Sequence, residues 1–257
     1  MQFPVQFPHK PFLSVPTPTA TEFGGLQVLT TDSLGNFRMD KEPQYIPSLD
    51  YSKYLSLIDV RRLLLYVDTL RKLENVSGDI VEVGVFRGNN LKQLALAMSL
   101  VEPEGCRNIV GFDTFKGFLP EQVHLAQEKD KIAMFDNPEG TDNLQATLSK
   151  LVNIPRQVKL VIGDVMETFG QFYENWGNRI ALAYIDVDLE LPTYSVLSVL
   201  AERLSVGGII LLDQYSRDGW GETRAVDAFR STQASRFEFM RIPNSIAPTA
   251  LLRKLCD

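Results

Sequence analysis

The chain has 257 residues, 44% of them hydrophobic and 23% charged, so it is long enough for one globular domain with a substantial core. Its net charge of −6, without a Lys/Arg run, argues against nucleic acid or a membrane as partner and favours a small-molecule substrate. Cys106 and Cys256 give neither a disulfide framework nor a zinc spacing, which fits a reducing cytoplasm. Because the N-terminus lacks signal-peptide features and no apolar run approaches about 18 residues, we expect neither secretion nor membrane spanning.

Residues 1–50 form a Pro-rich arm in which Phe3, Phe7, Phe12 and Phe23 stand among prolines. The prolines exclude a long helix. The aromatic residues indicate that the arm docks on its own domain or on a neighbouring subunit, although a flexible leader is the alternative. Exchange of such an arm between subunits would make the protein a homo-oligomer.

Residues 51–257 show the alternation of an α/β domain. Apolar residues first recur at helical spacing through LSLIDVRRLLLYVDTLRKL, which predicts a lead-in helix. Seven strand-like runs follow, most of them separated by helical runs: DIVEVGV, NIVGFDTF, VKLVIGDV, IALAYIDVD, GGIILLDQY, FEFMRIP and ALLRKLC. Near-continuous apolar strands between helices predict a doubly wound, mostly parallel sheet. Because the last two runs have no helix between them, they predict a terminal hairpin with an antiparallel strand.

Residues 114–138 have weak periodicity and carry Lys116, Gly117 and His124. A long connection of this kind is typical of a lid or a substrate-binding loop. Histidine is the residue type that most often acts as a general base near neutral pH, so His124 is a candidate general base, although a surface position is the alternative.

The first candidate binding motif runs from Glu82 to Gly88, with the sequence EVGVFRG between a predicted strand and a predicted helix. Glycine lets the backbone approach a ligand, and the helix N-terminus offers unpaired N–H groups. The motif lacks the full G-x-G-x-x-G fingerprint, which lowers the expectation of NAD and leaves other adenosine-bearing ligands. An ordinary strand-to-helix turn also explains it.

Two acids close the next strands. Asp113 lies about 30 residues beyond the glycine turn, where a carboxylate suits the ribose hydroxyls of a nucleotide. Asp164 in the run VIGDV could contact an adenine amine or cap its own helix.

The most specific motif is acidic. Asp186 and Asp188 close the strand IALAYIDVD, and Asp213 and Gln214 close the strand GGIILLDQY. If these strands are neighbours, about 4.8 Å apart, Asp186 and Asp213 project toward one point. Two carboxylates and an amide oxygen make a hard oxygen site suited to Mg²⁺ or Mn²⁺, although helix caps or solvated loops also use such acids.

The segments GDIVEVGVFRG, FDTFKGF, IGDV, YIDVDLELPTYSVL and GGIILLDQY, in this order over residues 78–230, resemble the macrocin O-methyltransferase family of sugar O-methyltransferases. The resemblance implies a class I methyltransferase (Rossmann-like) fold, S-adenosylmethionine, a divalent metal and a deoxysugar hydroxyl as acceptor. It further suggests a nucleotide-activated hexose such as TDP-rhamnose in antibiotic biosynthesis.

The same resemblance assigns roles to the acids. Asp186 and Asp213 match metal ligands, Asp188 matches a general base, and Gln214 stands where the family commonly has a second Asp. Because the amide removes one negative charge, we expect weaker metal binding. The candidate cofactor-binding residues are Glu82, Gly84, Asn89, Asp113, Thr114, Phe115, Gly163, Asp164, Val165 and Asp186.

In the predicted mechanism, a sugar hydroxyl loses its proton as it attacks the methyl sulfonium. Asp188 is expected to take that proton, since period two in a strand would place it on the same face as Asp186. Glu82 would hold the methionine amino group, with Gly84 and Asn89 near its carboxylate. The alternatives are a non-catalytic nucleotide-binding protein and an NAD-dependent dehydrogenase.

Overall fold

The computed structural model describes residues 19–30, 56–102, 105, 107–134, 139–151, 154 and 156–257. Phe3, Phe7 and Phe12 of the arm, and Cys106, lie outside the described residues, as do residues 135–138 of the segment expected to be a lid. Within these ranges, no helix is long and apolar enough to cross a membrane.

The described chain folds into nine strands and seven α-helices. The strands are β1 Thr19–Phe23, β2 Leu26–Thr30, β3 Asp79–Val83, β4 Ile109–Asp113, β5 Val158–Ile162, β6 Ile180–Ile185, β7 Leu204–Leu212, β8 Phe237–Arg241 and β9 Ala250–Lys254. The helices are α1 Leu57–Lys72, α2 Asn89–Val101, α3 Ala126–Ile132, α4 Asn143–Leu151, α5 Val165–Trp176, α6 Glu190–Arg203 and α7 Glu222–Gln233. A short 3₁₀ helix, Pro120–Gln122, precedes α3.

All nine strands form one sheet in the order β1-β2-β5-β4-β3-β6-β7-β9-β8. The central five strands, β5 to β7 in this order, are parallel, and the register pairs Val83 with Ile185 and Ile185 with Leu212. β9 is antiparallel to β7, and β8 and β9 form the predicted terminal hairpin. The doubly wound, mostly parallel class I methyltransferase fold is therefore confirmed.

The sheet differs from the expected seven strands because residues 19–30 of the arm add a hairpin. β1 and β2 turn at Gly24 and Gly25, both at positive φ, and β2 pairs antiparallel with β5. Leu26, Val28 and Leu29 of β2 are buried. This part of the arm thus docks on its own domain and extends the sheet beyond β5.

Helices cover both faces of the sheet, which explains why the inner strands are mostly apolar. Every residue of β3 and β6 is buried. On one face, α5, α6 and α7 contribute Phe169, Phe172, Leu197, Leu200 and Phe229 to the core. On the other face, α1 and α2 contribute Tyr66, Leu70, Leu91, Leu94 and Met98. α4, which the sequence analysis did not predict, adds Leu151 to this second core.

The hairpin generates a prediction about stability. The Phe23 ring lies edge-on to Trp176, with 5.4 Å between centroids, and tilted against Phe172 at 5.6 Å. Because each aromatic pair contributes about 0.5–1.5 kcal/mol, Phe23→Ala should lower the free energy of unfolding by about 1–3 kcal/mol in urea titrations. Leu100→Ala, which truncates an exposed apolar side chain, is the control. An equal, small effect of both substitutions would show that Phe23 does not anchor the hairpin.

Candidate active site

The carboxyl ends of the five parallel strands meet at one edge of the sheet, where a pocket opens. Most of the candidate site residues line this pocket: Gly84, Asp113, Thr114, Gly163, Asp164, Val165, Asp186, Asp188, Asp213 and Gln214. Glu82, Asn89, Phe115 and His124 are not among the lining residues. Phe86 of the first binding motif and Gly117 of the expected lid line it as well. The other lining residues were not named as candidates from the sequence: Phe112, Phe118, Leu119, Gln122, Asn143, Val187, Leu189 and Pro192.

The wall of the pocket after β3 depends on a glycine that no other residue can replace. Gly84 has a φ of 88°, and a Cβ built on it would lie 1.9 Å from the carbonyl oxygen of Asp186. The turn after β3 therefore contacts the backbone after β6 directly. This close approach brings the glycine turn and the acidic strand end to the same side of the pocket.

Asp113 at the end of β4 orders that turn. Its Oδ2 accepts hydrogen bonds from the amides of Val85 and Phe86, at 2.7 and 2.8 Å, and its Oδ1 accepts one from the Phe115 amide at 2.6 Å. Burial raises the pKa of Asp113, and these three amides oppose the shift. Asp113 thus holds the loop in shape, a role that the sequence did not reveal. The expected contact with ribose stays a prediction.

Glu82 belongs to a buried polar chain behind the pocket. Asn90 Nδ2 donates to Glu82 Oε1 at 2.8 Å, and the Tyr66 hydroxyl donates to Asn90 Oδ1. Glu82 Oε2 has no hydrogen-bond partner among the described residues, and burial raises the pKa of Glu82 well above its usual value. Asn90, rather than the exposed Asn89, is the asparagine that faces inward.

At the end of β5, Asp164 caps α5. Its Oδ1 accepts hydrogen bonds from the Met166 amide at 2.8 Å and from Gln122 Nε2 at 2.7 Å. The capping interpretation is therefore correct, and a contact of Asp164 with adenine stays a prediction. Gln122 reaches this site from the 3₁₀ helix in the segment expected to be a lid.

The acidic residues of the third motif converge as expected, because β6 and β7 are parallel neighbours. The Asp213 amide donates to the Ile185 carbonyl at 3.1 Å, and the Tyr184 hydroxyl donates to Asp213 Oδ1. The argument from strand periodicity was wrong for Asp188: β6 ends at Ile185, and Asp188 enters the pocket from a turn in which its φ is 63°. Asp188 is 7% exposed, and its Oδ1 has no partner in the described structure.

A fourth acid, Glu222, lies behind this group and was missed. It is fully buried in the first turn of α7, where its Oε1 accepts a hydrogen bond from the Gln214 amide at 2.9 Å. Burial, followed by the charge of Asp213, raises the pKa of Glu222 well above its usual value. An acid in the first turn of a helix is common for electrostatic reasons, so Glu222 could not be recognised as a site residue from the sequence.

Burial, followed by repulsion between carboxylates, governs the electrostatics of the group formed by Asp186, Asp188, Asp213 and Glu222, which we call the acidic cluster. Burial and the charges of Asp213 and Asp188 raise the pKa of Asp186 well above its usual value. Burial and Asp213 raise the pKa of Asp188 to about 7. Burial also raises the pKa of Asp213, although Tyr184 and Arg62 oppose the shift. Either protonation or a nearby cation relieves the unfavourable burial of carboxylates in this arrangement.

The side chains that line the pocket can be compared with the ligands that a divalent metal ion needs. In the described ranges, no group of three or more His, Cys, Asp or Glu side chains is arranged to hold a metal ion. The predicted ligands are instead two carboxylates, those of Asp186 and Asp213, and the side-chain amide of Gln214, and all three residues line the pocket. Gln214 Oε1 is buried and lacks a hydrogen-bond partner among the described atoms. Two carboxylates and an orphaned amide oxygen fit a hard divalent cation.

His124 lies on the outer side of the segment expected to be a lid. Its Nε2 is 3.3 Å from Glu190 Oε2 and its Nδ1 is 3.8 Å from Glu128 Oε2. The buried Glu128 accepts a hydrogen bond from the Glu190 amide at 2.9 Å, which attaches α3 to the start of α6. His124 therefore takes part in contacts between α3 and α6 and does not face the pocket.

Comparison with known proteins identifies this arrangement. The sequence profile of the macrocin-O-methyltransferase (TylF) family matches residues 46–246, most of the chain. A relative from Streptomyces olivaceus, 8-demethyl-8-(2,3-dimethoxy-alpha-L-rhamnosyl)-tetracenomycin-C 4'-O-methyltransferase, is 26% identical over 193 residues, which cover 71% of this chain and 72% of the relative.

Solved structures agree. The calicheamicin methyltransferase CalS11 has a TM-score of 0.63 at 28% identity, with 81% of this chain and 84% of that chain covered. Its apo form, described as a TDP-rhamnose 3'-O-methyltransferase, has a TM-score of 0.58 at 29% identity, with 81% and 85% covered. The O-methyltransferase NovP, at 20% identity and a TM-score of 0.62 over 77% and 81% of the two chains, shares the fold. The chain thus belongs to the macrocin-O-methyltransferase family and is an S-adenosylmethionine-dependent O-methyltransferase.

Proposed function

We propose that the protein transfers the methyl group of S-adenosylmethionine to a hydroxyl of a deoxysugar, with the help of a divalent cation, in antibiotic biosynthesis. The observation that carries the proposal is the position of Asp188, which lies beside Asp213 and Gln214 in the same pocket as the glycine turn. A proton acceptor and a set of oxygen ligands are thereby placed next to the expected methyl donor. Membership of the methyltransferase family disfavours the two alternatives, a dehydrogenase and a non-catalytic protein.

The cofactor would occupy the half of the pocket built by the ends of β3, β4 and β5. The turn at Gly84 lets the backbone approach the methionine part, and Asp113 keeps that turn in shape. Asp164 and Gln122 lie at the far side, where the adenine is expected. Glu82 acts from behind the turn, through Asn90, rather than from the pocket wall.

Asp186, Asp213 and Gln214 would hold Mg²⁺ or Mn²⁺. A divalent cation supplies positive charge that makes a nearby hydroxyl more acidic and offsets the repulsion within the acidic cluster. The Gln214 amide contributes no charge. We therefore expect Gln214 to hold the cation less tightly than a second aspartate would.

Asp188 is the proposed general base. As the sugar oxygen bonds to the methyl carbon, the bond from that carbon to sulfur breaks and the hydroxyl proton passes to Asp188 Oδ1, which has no partner among the described residues. A pKa of about 7 suits a base that works near neutral pH. His124 is disfavoured because it contacts Glu128 and Glu190 outside the pocket lining.

The sugar acceptor is inferred from the relatives. The Streptomyces olivaceus relative is a 4'-O-methyltransferase of a rhamnosyl tetracenomycin, and CalS11 is described as a TDP-rhamnose 3'-O-methyltransferase. These activities support a deoxysugar, and we propose a nucleotide-activated hexose such as TDP-rhamnose. Homo-oligomerisation and a cytoplasmic location stay predictions.

The direct test is methyl transfer from S-adenosylmethionine to a panel of nucleotide-activated deoxysugars and neutral glycosides, with products identified by mass spectrometry. Asp188→Asn should lower kcat about 10²-fold or more, because it removes the base, while binding of S-adenosylhomocysteine is unchanged. Asp68→Asn, at an exposed acid of α1, is the matched control. Near-wild-type turnover of Asp188→Asn would remove Asp188 from the mechanism, and a wild-type enzyme inactive on every sugar would remove the proposed acceptor class.

The acidic cluster also predicts how stability depends on pH. The pKa of Asp188 rises from 3.8 to about 7 on folding, so protonation of Asp188 stabilises the fold below pH 4, and this contribution is lost as the pH rises through 7. In EDTA, the thermal midpoint of Asp188→Asn should therefore gain on that of the wild type between pH 4 and 8, by roughly 10 °C. Differential scanning fluorimetry measures both midpoints, with Asp68→Asn as control. A difference that does not change with pH would mean that Asp188 is not repelled by its neighbours.

A further inference from the structure

Two arginines from distant parts of the chain meet beside the acidic cluster. Arg62 of α1 donates from Nε to the Ala247 carbonyl at 3.3 Å, and Arg217, in the loop after β7, donates from Nη2 to the Ile246 carbonyl. Consecutive carbonyls of one loop thus hold both side chains. The two guanidinium groups are therefore neighbours.

The loop that carries these carbonyls is fixed at the acceptor end of the pocket. The Thr249 amide donates to the Leu212 carbonyl at 2.8 Å, and Thr249 Oγ1 donates to the Tyr215 carbonyl at 3.0 Å. Arg217 is tied to the same place, since its amide donates to the Gln214 carbonyl at 2.9 Å. Both arginines consequently lie near the end of β7, which Asp213 follows directly, just outside the residues that line the pocket.

The guanidinium groups of both arginines keep hydrogen-bond donors available for a ligand. Among the described residues, neither Arg62 nor Arg217 forms an ion pair, whereas Arg224 pairs with Glu190 at 2.7 Å. A guanidinium has five N–H donors in a rigid fork, and the bonds to the loop carbonyls occupy one donor of each.

We propose that Arg62 and Arg217 form a subsite for the diphosphate of a nucleoside-diphosphate sugar. The inference rests on the proposed function and deepens it. Paired guanidinium forks suit phosphate oxygens, and a diphosphate bonded to the sugar would lie a short distance from a hydroxyl held at Asp188. A protein of net charge −6 also needs local positive charge to accept an anionic substrate. A neutral glycoside would not need these two cations.

The alternative is that the arginines only balance the acidic cluster, and binding experiments separate the two roles. Thymidine diphosphate is titrated calorimetrically into the protein saturated with S-adenosylhomocysteine, at constant Mg²⁺. Arg217→Gln and Arg62→Gln should each weaken its binding about tenfold or more, with thymidine as the uncharged reference. Arg61→Gln, at the exposed neighbour of Arg62, and Arg253→Gln, on β9, are the controls. Arg62→Lys and Arg217→Lys keep the charge and guard against misfolding, and each should restore binding only in part.

The outcomes distinguish this proposal from the proposed function. If thymidine diphosphate binds no better than thymidine, or binds the glutamine variants as tightly as the wild type, the diphosphate subsite is wrong. Methylation of neutral glycosides would then still support sugar O-methylation. Tight, arginine-dependent binding of thymidine diphosphate without methyl transfer to any sugar would keep the subsite and overturn the proposed function.

Discussion

The site depends on the forced proximity of buried carboxylates at the ends of β6 and β7. Parallel pairing of these strands brings Asp186 beside Asp213, and the turn at Asp188 adds a third acid. Glu222 closes the group from α7. Burial raises the pKa of all four, and repulsion by neighbouring acids adds to the shift at Asp186, Asp188 and Glu222, so this place favours protons or a cation. In the proposed function, a sugar hydroxyl would find both a base and ligands for a cation there.

The other half of the pocket is shaped mainly by backbone contacts. Gly84 lets the turn after β3 touch the chain at Asp186, so the expected cofactor cleft and the acidic cluster share one wall. Asp113 fixes the turn through two amide hydrogen bonds and its own loop through a third, and Gln122 joins the 3₁₀ helix to Asp164. The methyl donor and the acceptor are thereby expected to meet between two rigid strand ends, which is the positioning that a group transfer requires.

The fold and the pocket could be predicted from the sequence to different depths. The alternation of apolar strands with helices was sufficient to predict the parallel sheet. The acids at the strand ends were sufficient to predict at which edge of the sheet the pocket lies. Two elements had signals in the sequence that were not used. The helical spacing of Leu144, Thr147, Leu148 and Leu151 predicts α4, but it lies next to a segment without clear periodicity. The Gly24-Gly25 turn predicts the added hairpin, but it lies in a Pro-rich segment. No sequence pattern predicts the roles of Asn90, Glu222 and the arginine pair, because these roles arise from tertiary contacts between distant segments.

The central proposal is that Asp186, Asp213 and Gln214 hold a divalent cation, and Mn²⁺ binding tests it without any assay of activity. Free Mn²⁺ is measured by electron paramagnetic resonance as protein is added. The account predicts one site per chain that Asp186→Asn and Asp213→Asn each abolish or greatly weaken, that Asp68→Asn preserves, and that Gln214→Asp tightens through the added charge. No binding at millimolar Mn²⁺, or equal binding by the wild type and the Asp186→Asn/Asp213→Asn double variant, would contradict it.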